Sequence, residues 1–186
     1  MEGSINQKVV AWARGQLKKR VGRGQCWDLA DHALRHAGAH SSTTRGPNDD
    51  YVWGQEVPII AVIPGDILQF RDHVVTTTTT IKTVWANGSS TSGPDAVPAS
   101  RPQHTAIVVA VAPGVLTILE QHVKPAGEVV QQHTLPIRPG TTVTTEHKVL
   151  KTTTGGLVTA TVVTTVTVSI TGRVWAYRPQ PASSGH

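Results

Sequence analysis

Residues 157–170 place the strongest constraint on the fold. Val158, Ala160, Val162, Val166, Val168 and Ile170 fall on one side of a period-two pattern, and Thr159, Thr161, Thr165, Thr167 and Ser169 fall on the other. A helix would scatter these residues round its circumference, whereas a strand gathers each set on one face. Val, Ile and Thr are also β-branched, which suits a pleated backbone. Residues 142–153 carry a similar Thr-rich text, and Gly155-Gly156 supplies a turn between the two runs. Residues 74–85 add a third such run. A chain with this much two-residue periodicity builds a long ribbon, and an all-helical fold is excluded.

The first forty residues follow a different period. Val9, Val10, Ala13, Leu17 and Val21 recur three or four residues apart, which predicts a helix. Lys18, Lys19 and Arg20 lie near its end, where cations suit the helix dipole. Gly22-Arg23-Gly24 interrupts the pattern, and a second helix is expected from about Gln25 through Leu29, Ala33 and Leu34 to a stop at Gly38. Residues 41–58 read as loop. Pro64-Gly65-Asp66 then forms a turn that releases a strand beginning Ile67, Leu68 and Phe70. Residues 104–111 and 115–123 predict two strands joined at Pro113-Gly114, with 129–137 as a third and 173–178 closing the sheet.

Helices come first and an antiparallel sheet follows, so the fold class is α+β. We expect one domain over residues 1–179, with a helical part at about 5–40 packed on a sheet at about 64–179 that continues into a long C-terminal β-ribbon. The Ser-, Gly- and Pro-rich stretch 87–102 is expected as a mobile insertion bordering any cleft, and 180–186 as a disordered tail.

Composition narrows the class further. The 186 residues are 38% apolar and 16% charged, which fits one folded core. A single cysteine excludes an internal disulfide and any multi-cysteine metal site. No run approaches the length of a membrane-spanning helix. The net charge of +5 favours anionic surroundings without choosing among them. Met1-Glu2-Gly3-Ser4 shows no signal-peptide pattern, so the chain as written is expected in the cytoplasm, or exported by a route the sequence does not show.

The one cysteine, Cys26, falls at the start of the second helix. Unpaired N–H groups and the positive end of the dipole favour thiolate there, and a nearby histidine would complete a nucleophile–base pair. In chain order there follow Gly24-Gln25-Cys26-Trp27, the Pro64-Gly65-Asp66 turn, Gln103-His104-Thr105 opening a strand, and Glu120-Gln121-His122 on the next. In these residues the chain resembles the CHAP amidase/peptidase family within the wider NlpC/P60, papain-like group of bacterial cysteine hydrolases.

The resemblance implies that Cys26 is the nucleophile, His104 the base, and Glu120 the group orienting the ring. The family's Asn position is occupied by His122, which leaves the third member open between Glu120 and His122, residues that period two puts on one face. The N–H of Cys26 would serve the oxyanion, with Gln25 beside it. The implied substrate is an amide or peptide bond, in peptidoglycan by resemblance, with no cofactor and a monomeric chain. The alternative is a non-catalytic wall- or partner-binding module on the same fold.

Other clusters carry less. Asp28, His32 and His36 are spaced by four, and His40 follows, but an outer helix face explains them better than a metal site. Asp66 is ordinary turn chemistry. Lys18, Lys19, Arg20 and Arg23 form a basic cluster without interleaved aromatics, so no nucleic-acid partner is expected.

Overall fold

Two helices open the chain, and each has a capping device written into its sequence. In α1 (Ile5–Gly15), the Ser4 hydroxyl accepts the Gln7 N–H at 3.3 Å, and the Gln7 side chain accepts the Ser4 N–H at 2.8 Å. In α2 (Cys26–His36), the Asp28 carboxylate accepts the N–H groups of Arg23 at 2.8 Å and Gln25 at 3.1 Å. At its far end Gly38 takes φ +73°, which lets the Ala39 N–H turn back to the Leu34 carbonyl at 2.9 Å. The structure is a computed structural model that describes residues 3–44, 50–124 and 127–182.

The first helix is shorter than its periodicity predicts. It ends at Gly15, because Lys18 turns left-handed at φ 64° and the backbone there pairs with Val130. Lys18 donates to the Val130 carbonyl at 2.8 Å, and Val130 donates to the Lys19 carbonyl at 2.9 Å. Val21 keeps its place in the core without being helical.

The strands are β1 (Thr43–Thr44), β2 (Tyr51–Val52), β3 (Gln55–Val57), β4 (Ile67–Trp85), β5 (Ser90–Ala112), β6 (Val115–Glu120), β7 (Gln131–Pro136), β8 (Gly140–Lys151) and β9 (Leu157–Arg178). β1 and β2 form a small hairpin within the stretch read as loop. The main sheet has the order β3-β9-β4-β5-β6-β7, and β8 pairs with β9. The pairs β3–β9, β5–β6, β6–β7 and β8–β9 are antiparallel. The expected α+β architecture therefore holds at the level of helices followed by an antiparallel sheet.

The chain divides into two compact units. The first comprises Met1–His73, Arg101–Ile137 and Thr171–His186. Its core joins Val9, Ala13, Leu29 and Leu34 from the helices to Ile67, Ile107, Leu119 and Tyr177 from the sheet. Asp66 locks the turn before β4, since its buried carboxylate accepts from the Ile63 N–H, the Asn6 amide and the Arg178 guanidinium at 2.9, 3.0 and 3.1 Å. Gly65 is required there: at φ +95°, a Cβ would lie 2.5 Å from the Asn6 carbonyl oxygen.

The second unit comprises Val74–Ser100 and Arg138–Ile170. Here β8 and β9 pair continuously from Gly140↔Val168 to Lys151↔Leu157. Ala160 and Val162 are buried, as the alternation predicts for that face. The stretch 87–102, expected as a loop insertion, is instead a tight turn followed by strand β5. Asn87 and Gly88 (φ 82°) close the turn, with the Trp85 N–H donating to the Ser89 carbonyl at 2.9 Å. Exposed Ser and Pro residues disguised this strand, because its burial pattern has no alternation until Arg101.

The expected disordered tail is also corrected in part. His40 donates to the Gln180 carbonyl and Ala182 to the Gly38 carbonyl, both at 3.0 Å, so 180–182 pair with the segment after α2. Residues 183–186 lie outside the described residues. No helix among the described residues is long and apolar enough to cross a membrane.

Candidate active site

Cys26 is the first residue of α2, half-buried, where the first-turn amides have no intrahelical acceptors. Burial alone would raise its pKa. The hydrogen bond to His104, the charge of that ring, and the N–H groups of Thr105 and Trp27 more than offset it, and the thiol titrates below its ordinary value.

His104 is buried on β5, with Nε2 at 2.9 Å from Oε2 of Glu120. The N–H does not point straight at that oxygen, so the contact is a close ion pair more than a linear hydrogen bond. With Nε2 turned to the carboxylate, Nδ1 is the nitrogen left for the thiol. Burial pulls the His104 pKa down, but the thiol and the carboxylate together push it up to about 9. A lowered thiol beside a raised imidazole favours the thiolate–imidazolium form of the pair.

Glu120 ends β6 with its side chain wholly buried. Burial opposes its charge, yet His104, His133 and Arg101 hold it well below the usual carboxylate range. Arg101 grips it with both prongs, Nε to Oε2 at 2.9 Å and a terminal nitrogen to Oε1 at 2.6 Å. His133 of β7 adds Nδ1 to Oε1 at 2.9 Å. His133 faces Ile118 in the register and so lies diagonally across from Glu120.

The structure separates the two candidates for the third position. His122 does not share the face of Glu120, because β6 stops at Glu120 and His122 takes φ 67° in an exposed turn. Period two ceases to apply where the strand ends. Gln121 does point away from Glu120, into the first unit. It is fully buried, accepts the Val21 N–H at 2.8 Å, and donates to the carbonyls of Val21 and Gln25 at 3.0 and 2.7 Å. Gln25 thus sits in an anchored segment directly before the nucleophile.

Sequence reasoning missed Arg101, His133 and Gln121. Period two places Arg101 on the face opposite His104, but β5 buries both with exposed Pro102 and Gln103 between them. Pairing 115–120 against 131–136 would have exposed His133, whereas no local signal marks the other two.

The remaining expectations resolve simply. Asp28 serves the α2 start, and His32 and His36 pack round Trp12 with ring centroids 6.3 and 6.0 Å away. In the basic cluster Arg20 pairs with Glu128 at 3.0 Å and Lys19 donates to the Gly15 carbonyl at 2.7 Å.

A cleft of about 500 Å³ opens over Cys26 and His104. Trp27 and Tyr51 form one wall, backed by buried Trp53 with ring centroids 5.6–6.5 Å apart. Trp53 donates to Gln69 at 3.2 Å, and Gln69 also accepts from the Thr105 hydroxyl at 2.9 Å, which fixes the residue after His104. From β5 the lining begins only at Gln103, so 87–102 supplies none of it among the described residues.

The family description "AIM3/BBC1 Cysteine proteinase-fold domain" matches residues 1–184. The chain belongs to that family. As a cysteine proteinase-fold domain it has the papain-like fold expected of it, while the match does not single out the CHAP or NlpC/P60 branch. No curated protein matches this cysteine proteinase-fold domain. A crystal structure of Ly7917 with the hydrolyzing product of MDP is 15% identical and covers 94% of this chain and 97% of its own, with a TM-score of 0.42. A second crystal structure of Ly7917 is 20% identical over 98% and 90%, with a TM-score of 0.41. The family match shows the fold.

Proposed function

We propose that this chain is a cysteine hydrolase that cleaves an amide or peptide bond. The observation that carries the reading is the Cys26–His104–Glu120 line, with the thiol lowered and the imidazole raised inside one cleft. The Cys26 thiolate attacks the substrate carbonyl carbon, and the new oxyanion meets the Cys26 N–H at the helix start. As the tetrahedral species collapses, the C–N bond breaks and the His104 imidazolium gives its proton to the departing amine. Neutral His104 then takes a proton from water, whose oxygen attacks the thioester and releases the acid. Glu120 holds the ring in place throughout.

The finer reading is a CHAP- or NlpC/P60-type enzyme acting on peptidoglycan. It is supported by the Gln25-Cys26-Trp27 and Pro64-Gly65-Asp66 elements and by the order in which His104 and Glu120 follow them. Trp27 and Tyr51 offer a stacking wall, with the Arg23 side chain beside it in the cleft. That wall suits a peptide carrying a sugar or an apolar face together with a carboxylate.

The test is to incubate the protein with muramyl peptides and with unglycosylated peptides and to follow new amines by mass spectrometry. Cleavage that disappears in Cys26→Ala, with a loss of at least roughly 10³-fold, supports the hydrolase. A second reading, a binding module, is favoured by the second unit, whose ribbon supplies no residue of the cleft lining among the described residues. Unchanged binding of a wall fragment by Cys26→Ala, with no turnover in either protein, would select it.

A further inference from the structure

Arg101 is the least expected member of the site. It is buried, lies three residues before His104 on β5, and places its guanidinium 5.6 Å over the Phe70 ring. Phe70 in turn neighbours His104 at 6.2 Å and His73 at 5.1 Å. The forked contact fixes the plane of the Glu120 carboxylate, leaving one edge of Oε2 for His104 and one edge of Oε1 for His133.

The charge count gives this contact a consequence. A lone buried carboxylate 2.9 Å from His104 would stabilise the imidazolium strongly and hold the proton that the leaving amine must receive. Pairing with Arg101 makes Glu120 neutral as a unit, so only the Cys26–His104 pair changes charge during a reaction. We propose that Arg101 is a positioning residue that cancels the charge of Glu120, letting Glu120 orient His104 without trapping its proton. This rests on the hydrolase reading above.

Among the described residues, the titratable and charged groups around His104 and Glu120 are Cys26 from α2, Arg101 from β5 and His133 from β7, with His73 of β4 beside Phe70 and in the field of Arg101. Burial and the charge of Arg101 lower the pKa of His73, which favours its uncharged form. His133 is 36% exposed and gives a separate resonance to follow.

The experiment is an NMR titration of histidine ring nitrogens in the full chain, with His104 assigned by its disappearance in His104→Ala. Wild type is compared with Arg101→Gln, Glu120→Gln and the double variant. The expected result is a His104 midpoint raised by roughly one pH unit or more in Arg101→Gln and lowered by a similar amount in Glu120→Gln. The double variant returns to within about half a unit of wild type, since a neutral pair has been exchanged for a neutral pair.

A double variant as low as Glu120→Gln would overturn the proposal, because Glu120 would then act on His104 as an unscreened charge. Where a single variant does not fold, the neutral double variant against wild type decides the matter alone. A wild-type His104 titrating near the ordinary 6.5, beside an ordinary thiol, would overturn the hydrolase reading and this proposal with it. A raised wild-type midpoint with a displaced double variant overturns only the role of Arg101.

Discussion

The Gln121 side-chain amide donates to the main-chain carbonyl of Gln25 at 2.7 Å, tying the residue after β6 to the residue before the nucleophile. The same side chain closes two further bonds with the backbone of Val21. One glutamine therefore sets the position of Cys26 relative to Glu120, its own chain neighbour.

Gln121→Leu keeps the volume but leaves the Val21 N–H without its partner and takes one of two donors from the Val21 and Gln25 carbonyls, which keep the N–H groups of Gly24 and Asp28. The unpaired buried N–H costs about 1–3 kcal/mol and each of the two lost carbonyl bonds about 0.5–1.5 kcal/mol, so a total loss of roughly 2–6 kcal/mol is expected in urea unfolding at pH 7. In the folded fraction the Cys26 alkylation rate at neutral pH should fall as well. A variant as stable as wild type, with unchanged thiol reactivity, would contradict this anchoring role.

Glu120 makes stability depend on acid in a defined direction. Its folded pKa is depressed from an ordinary 4.5, so its stabilisation is complete above that value and is lost as pH falls below it. Glu120→Gln leaves Arg101 buried with its charge unpaired, and a loss of about 3–5 kcal/mol is expected at pH 7. The gap between wild type and variant should stay constant from pH 7 to about 5 and narrow below 4.5. Urea midpoints at several pH values test this, and a gap that widens in acid would refute it.

Turnover on any amide substrate should follow a bell in pH. Activity needs the thiolate and the imidazolium together, so the acid limb lies below the ordinary range of a free thiol and the alkaline limb near 9. A rate rising steadily through pH 9 would mean that protonated His104 is not needed.

Asp66 offers a contrast, since it binds Ile63, Asn6 and Arg178 and lies outside the cleft lining. Asp66→Asn should cost roughly 2–3 kcal/mol by weakening the partly exposed Arg178 pair and the buried bonds. The pH profile of Cys26 alkylation should stay where it is. A shifted profile would place Asp66 in the active machinery.

The sequence made the local features readable and hid the long-range ones. Cys26 at a helix start, the Pro64-Gly65-Asp66 turn and the alternation through Ala160 and Val162 are set by neighbours in the chain, and they stand where expected. α1 is shorter than its periodicity predicts because tertiary pairing of 17–19 with Val130 outweighs the periodicity of Leu17 and Val21. His122 leaves the face of Glu120 because the two-residue period ends with β6. Arg101 stayed hidden behind a break in the alternation of β5, and the strand holding it resembles a loop in composition. Its partner Glu120 is 19 residues away, beyond any local rule.

The most direct test of the account is the alkylation rate of Cys26 by iodoacetamide from about pH 4 to 10, in wild type and in His104→Ala. The account predicts a wild-type thiolate already present well below the ordinary thiol range, and a return to an ordinary titration near 8.5 in the variant. An ordinary thiol in both proteins would show that Cys26 and His104 do not form a working pair and would contradict the central claim.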